Sequence, residues 1–182
     1  MEFINNIRRQ IGNYQFLKRL AKLQRRRHII NLRDAKTVGI LYDATEEREY
    51  KMVCDFVRNL QNDGKTVKAL GYINYNLIPH YCIPKLSFDY FLKKEVNIWY
   101  VPSNKFIDDF INNDYDVLID LTTKNFFPIQ YISGLSKAKF KVGRDGEDHV
   151  NYYDFMFRLS DKTTLPDYMK EIVNYLTIIQ AG

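Results

Sequence analysis

Cysteine is nearly absent from this sequence. Its 182 residues include only Cys54 and Cys82, which lie in unlike contexts and form no CxxC pair. That argues against the disulfide scaffold of small secreted domains and favours a reducing compartment. Glycine (8) and proline (5) are scarce as well, so most of the chain is expected in regular structure joined by short connections. No apolar run approaches the ~18 residues of a membrane span. The opening Met1-Glu2-Phe3-Ile4-Asn5-Asn6-Ile7-Arg8-Arg9 lacks the apolar stretch of a signal peptide, so the expected location is the cytoplasm.

Several familiar chemistries are missing too. No GxGxxG follows the first expected strand, and neither GxxxxGK[ST] nor GxSxG occurs. A typical dinucleotide site, a P-loop and a serine nucleophile elbow are therefore not indicated. His80 and Cys82 stand two apart, and His149 follows Glu147 and Asp148. Neither spacing is that of a zinc site, and all three are read as surface loop residues. No metal, cofactor or catalytic residue is expected.

What is present is ample apolar content, 46%, enough for the core of one domain. The net charge of +5 hides an asymmetry. Residues 1–36 hold ten Lys/Arg against Glu2 and Asp34, a local charge of +8, whereas residues 37–182 hold 17 Lys/Arg against 20 Asp/Glu, or −3. Residues 1–35 are read as a basic helical arm and 36–182 as a single α/β domain. A basic arm on a mildly acidic body points to a polyanionic partner.

The periodicity predicts a helix over 3–27, with apolar stripes Ile4, Ile7, Ile11, Tyr14 and Phe16, Leu20, Leu23. Strands are predicted at 37–42, 65–74, 96–101, 115–121, 139–142 and 154–159. Segment 76–86 reads as a loop and 87–94 as a short helical or turn segment. Helices are predicted from Glu46, at 104–111, at 127–135 with Pro128 in its first turn, and after Thr164. This alternation predicts a Rossmann-like α/β three-layer sandwich with a mostly parallel sheet of five to six strands.

In such a sheet ligands bind beyond the carboxyl ends of the strands. Asp43 and Thr45 follow the first strand, and Asp120, Thr122 and Thr123 the fourth; together they form a candidate ligand crevice. The competing reading is that both aspartates serve only as caps and turns.

Two resemblances attach to these residues. The basic helix, then Thr37-Val38-Gly39-Ile40-Leu41-Tyr42-Asp43-Ala44, then Tyr115-Asp116-Val117-Leu118-Ile119-Asp120-Leu121, resembles a small uncharacterised family of Bacteroidota proteins, itself a domain of unknown function. That resemblance implies no activity. Tyr115–Leu121 with Gly134–Arg144 is also similar to the N-terminal Rossmann-like half of heptosyltransferase-type glycosyltransferases. Those enzymes hold the sugar nucleotide with a second domain, for which this chain has no room, so the likeness supports sheet topology alone.

The sequence thus favours a non-enzymatic binding or adaptor protein. Arg8, Arg9, Arg19, Lys22, Arg25, Arg26 and Arg27 would contact an acidic partner such as RNA or the ribosome. The alternative is a small-ligand-binding or enzymatic domain using the strand-end crevice. An anionic membrane surface is a further partner for the arm, and a homodimer burying Ile4, Ile7, Ile11 and Tyr14 is a third architecture.

Overall fold

The computed structural model describes residues 2–83, 85–146 and 148–180. Six strands form one sheet: β1 (Thr37–Asp43), β2 (Thr66–Ile73), β3 (Phe88–Leu92), β4 (Val117–Asp120), β5 (Phe140–Arg144) and β6 (Phe155–Phe157). Their order is β3-β2-β1-β4-β5-β6, and every neighbouring pair is parallel. The fold is therefore the Rossmann-like α/β sandwich expected. The helices are α1 (Glu2–Leu20), α2 (Glu47–Asn62), α3 (Lys105–Asn112), α4 (Phe127–Leu135) and α5 (Leu165–Ile178). No described helix is long and apolar enough to cross a membrane.

A parallel sheet covered on both faces needs apolar residues at successive positions, and β1 supplies them. Val38, Ile40 and Tyr42 pack with Val53 and Val57 of α2 and Ile172 and Leu176 of α5. Leu41, with Leu70 and Leu118, faces the other way onto Ile107 and Phe110 of α3 and Ile129 and Ile132 of α4. The two helix layers and the sheet are thus fixed by alternate residues of the same strands. Asn104 caps α3 by accepting from the Ile107 amide at 2.8 Å, and Thr164 caps α5.

The third strand is not where its β-branched content suggested. Residues 96–101 form a turn, closed by bonds from the Tyr100 amide to the Asn97 carbonyl (2.9 Å) and from the Asn97 amide to the Val101 carbonyl (3.0 Å). Tyr100 sits there with φ of 63°, which no strand permits. The edge beside β2 is instead taken by Phe88–Leu92, whose Phe88, Phe91 and Leu92 are buried and which replaces the helical or turn segment expected there.

The first helix is also shorter than its periodicity implied, ending at Leu20. Beyond it the backbone finds tertiary partners in place of helical ones. The His28 amide donates to the Lys139 carbonyl at 3.1 Å, and the Leu32 amide to the Leu176 carbonyl at 2.7 Å. Asn31 Nδ2 donates to the carbonyls of Thr177 and Ile179.

Two contacts lay the N-terminal segment against the sandwich. Phe16 is buried in an aromatic nest, its ring 5.7 to 6.1 Å from those of Phe127, Tyr131 and Tyr152. Close approach here requires glycine: a Cβ at Gly12 would lie 2.0 Å from the Trp99 carbonyl oxygen, and one at Gly134 would lie 2.4 Å from the Phe16 ring. The second contact is ionic. Arg25 donates from both terminal nitrogens to the Asp154 carboxylate, at 2.6 and 2.7 Å, and from Nη1 to the carbonyls of Ala138 and Lys139. The side chains of this pair are only 4% and 12% exposed.

Removing one partner of a buried ion pair strands the other charge. Arg25→Ala is expected to lower stability by about 3–5 kcal/mol in urea denaturation, while Arg26→Ala, at an exposed position, stays within about 0.5 kcal/mol.

A second carboxylate joins three elements. Asp116 accepts from the amides of Lys36 (2.8 Å) and Thr37 (3.0 Å) and from Lys139 Nζ (2.8 Å). Burial raises its pKa, but these donors outweigh it and bring the carboxyl from its ordinary 3.8 down to about 2. A lowered carboxylate stabilises the fold above its unfolded pKa and ceases to do so as pH falls through the folded one. Asp116→Ala should therefore cost roughly 1 kcal/mol near neutral pH, and its gap from the parent should close between pH 4 and pH 2, as followed by urea midpoints.

Candidate functional site

The carboxyl ends of β1 and β4 lie side by side, where the order of the strands reverses, and Asp43 and Asp120 stand there. Both are buried and both are engaged. Asp43 Oδ1 accepts from the Thr45 amide at 3.0 Å, and its Oδ2 lies 3.4 Å from Lys124 Nζ. Asp120 Oδ1 accepts from the Thr122 amide (2.8 Å) and the Thr122 hydroxyl (2.6 Å), while Oδ2 accepts from the Tyr153 hydroxyl. Burial pushes the Asp120 pKa up, against the Thr122 and Tyr153 hydrogen bonds that favour its ionised form. Thr45 Oγ1 accepts from the Asn74 amide, tying β1 to the chain beyond β2. Thr122 is buried and Thr123 is exposed. The structure brings these residues to one end of the sheet but closes each aspartate on donors of its own chain.

Open space lies farther out, beneath α1. One cavity of about 520 Å³ runs between the N-terminal half of α1, the 96–100 turn and the start of α4. A second, of about 400 Å³, lies between α1, α4 and the loop after β5. They share Asn6, Arg9, Asn125 and Phe127. Neither is lined by Asp43, Thr45, Asp120, Thr122 or Thr123.

The seven cations singled out from the sequence divide by surroundings. Arg25 is enclosed by Asp154 and two carbonyls. Arg27 keeps a looser approach to the same carboxylate, 3.8 Å, with 62% of its side chain exposed. Arg19 donates to the Tyr131 hydroxyl and lies over that ring, 5.6 Å from its centroid. Arg9 lines both cavities. Lys22 and Arg26 are exposed, Arg8 is half-buried, and among the described residues none of these three has an ion-pair partner. Of the stripe assigned to a second copy, Ile4, Ile7 and Tyr14 are exposed and Ile11 is half-buried.

Two residues read as surface loop positions are buried. Cys82 lies within the loop that follows β2 and turns inward, with Sγ 3.9 Å from the Ala44 carbonyl oxygen. His149 packs against the paired rings of Tyr152 and Tyr153, each 5.5 Å away. Its Nδ1 meets the Arg144 carbonyl at 2.8 Å, and its Nε2 meets the Gln130 side-chain nitrogen at 3.0 Å. Tyr152 and Tyr153 follow His149 by three and four residues, a helical interval begun by a turn of 3-10 helix (His149–Asn151), and that spacing is the signal from which its burial could have been read. Arg144 could be placed at a strand end from sequence, but its neighbours Asn125 and Gln130 belong to another element and carry no local signal.

Comparison with known proteins adds the family. None of the curated proteins compared with this chain matches it. The family of unknown function DUF6913 matches residues 8–179, almost the whole length and including most of the basic segment, and the chain belongs to that family.

Proposed function

We propose that this chain is a cytoplasmic, non-enzymatic binding protein whose basic N-terminal segment contacts an acidic partner, RNA or the RNA of the ribosome. One observation carries the reading. Of the ten Lys/Arg in residues 1–36, only Arg25 and Arg27 meet a carboxylate among the described residues, and both meet the same one, Asp154. Among the described residues the remaining cations form no ion pairs.

Anchoring by Phe16 and Arg25 makes this surface a fixed ledge, so binding orders less chain than a free tail would. Phe3 and Tyr14 are exposed among the cations, at 76% and 67%, and aromatic faces beside Lys and Arg suit stacking of unpaired bases. Arg8, Arg9, Arg19, Lys22, Arg26 and Arg27 are the proposed contacts, with Arg25 holding the ledge in place. Asp43 and Asp120, closed on their own donors, favour a structural role there over catalysis.

The test is fluorescence anisotropy with a single-stranded RNA across a salt series. Affinity should fall linearly on a log–log plot, and the Lys22→Ala/Arg26→Ala double variant should flatten the slope by about 1.4, or roughly 0.7 for each phosphate no longer neutralised. Absence of binding at low salt, or an unchanged slope in the double variant, would overturn the proposal.

A further inference from the structure

The only two described non-glycine residues with left-handed backbone line the two cavities beneath α1, one in each: Tyr100 (φ 63°) and Asp148 (φ 62°). For a bulky aromatic residue that conformation is strained and persists only where its surroundings impose it. Asn97 imposes it here, its carbonyl accepting from the Tyr100 amide and its Oδ1 from the amides of Trp99 (2.9 Å) and Val101 (3.1 Å).

The two cavities differ in chemistry. The larger has aromatic walls, Tyr72, Tyr100, Phe126 and Phe127, with the side-chain amides of Asn74 and Asn97 among them. Tyr72 and Phe126 are already packed edge to face, 5.3 Å between centroids, which steadies that wall. The smaller is polar and holds two arginines, Arg9 from α1 and Arg144 from the end of β5. Among the described residues neither arginine forms an ion pair. Asp148 brings one exposed carboxylate to the rim, against two guanidinium groups.

His149 organises the polar half. Its Nδ1–H donates to the Arg144 carbonyl, so its Nε2 accepts from the Gln130 amide, whose nitrogen also donates to Asn125 Oδ1. That chain ties the start of α4 to the end of β5 beside the two guanidinium groups. A guanidinium fork matches the oxygens of a phosphate, and flat aromatic walls with amides beside them suit a heteroaromatic ring. The cavities share Asn6, Arg9, Asn125 and Phe127 in their walls, which makes them adjacent halves of one cleft beneath α1.

We infer that this cleft binds a small phosphorylated ligand with a planar ring, of the nucleoside monophosphate class, with the ring against Tyr100 and Phe126 and the phosphate at Arg9 and Arg144. This site is separate from the proposed RNA-contacting ledge except at Arg9.

Isothermal titration of the full chain with each of the four ribonucleoside monophosphates, the matching nucleosides and inorganic phosphate tests it. At least one monophosphate should bind, with its nucleoside weaker by about tenfold or more for want of the charged hydrogen bonds and free phosphate weaker by about tenfold or more for want of the ring's stacking contacts. Arg144→Met should weaken that monophosphate by about tenfold and leave its nucleoside unchanged. Asn125→Asp keeps the oxygen that accepts from Gln130 and adds a negative charge to the shared wall; it should act in the same sense, and it decides the matter if Arg144→Met fails to fold. The salt slope for RNA should be unaffected by Arg144→Met, and monophosphate binding unaffected by Lys22→Ala/Arg26→Ala, so either proposal can fail alone. No binding of any monophosphate, equal binding of a monophosphate and its nucleoside, equal binding of a monophosphate and free phosphate, or indifference to the folded variants would overturn the inference.

Discussion

Where Arg25 meets Asp154, a guanidinium and a carboxylate face each other almost out of water, and the guanidinium also donates to two backbone carbonyls. The carboxylate also accepts from the Lys141 amide at 2.8 Å, so β5, the start of β6 and the N-terminal segment converge on one side chain. In a low-dielectric setting such a pair is favourable only when the geometry is good and further hydrogen bonds support it; here the pair is bidentate, with two carbonyls and a backbone amide as further partners. The consequence reaches beyond stability. With Arg25 held, the chain between Leu20 and Thr37 is laid along the sandwich, and α1 is set over the carboxyl end of the sheet, where the cavities lie.

Lys141 shows the same environment acting on a single charge. It is fully buried on β5 and its ammonium nitrogen donates to the Gly134 carbonyl at 2.8 Å. Burial pushes its pKa well down and the neighbouring Arg25 pushes the same way, with Asp154 opposing. An ion pair is thus kept where two charges can satisfy each other, while the lone amine beside it is driven toward its neutral form. This concentration of polar groups lies between the sheet and α4, so the anchoring of α1, through Tyr131 and Gly134 as well, depends on the same region of the fold.

The sheet explains why the aspartates at the strand ends are engaged by their own chain. An all-parallel sheet leaves the carboxyl end of every strand to be terminated, and at β1 and β4 the chain does this with its own side chains. Asp43 and Asp120 each accept from a residue two positions on, and Tyr168 adds a bond from its hydroxyl to the Asp120 carbonyl at 3.0 Å. One cavity of about 460 Å³ remains beside Thr45, and the two beneath α1 lie farther out, where the irregular 96–100 turn and the loop after β5 face that helix. Those segments contain both of the left-handed non-glycine residues found among the described residues.

The amino-acid order alone determined the layers. β1 is apolar on both faces because it is covered on both, α4 opens with proline, Asn104 and Thr164 cap their helices, and the imbalance of +8 against −3 is a matter of counting. Tertiary structure decided which apolar segment became the third strand. Val96–Val101 and Phe88–Leu92 both carry enough apolar surface, and only pairing with β2, with the turn that Asn97 closes, separates them. It also decided which arginine is a clamp and which are surface, a distinction invisible in Arg25-Arg26-Arg27, where three identical side chains stand in a row. Local sequence sets propensity and charge. The energy of a buried ion pair depends on a partner 129 residues away and on the water excluded around both, which no local pattern records.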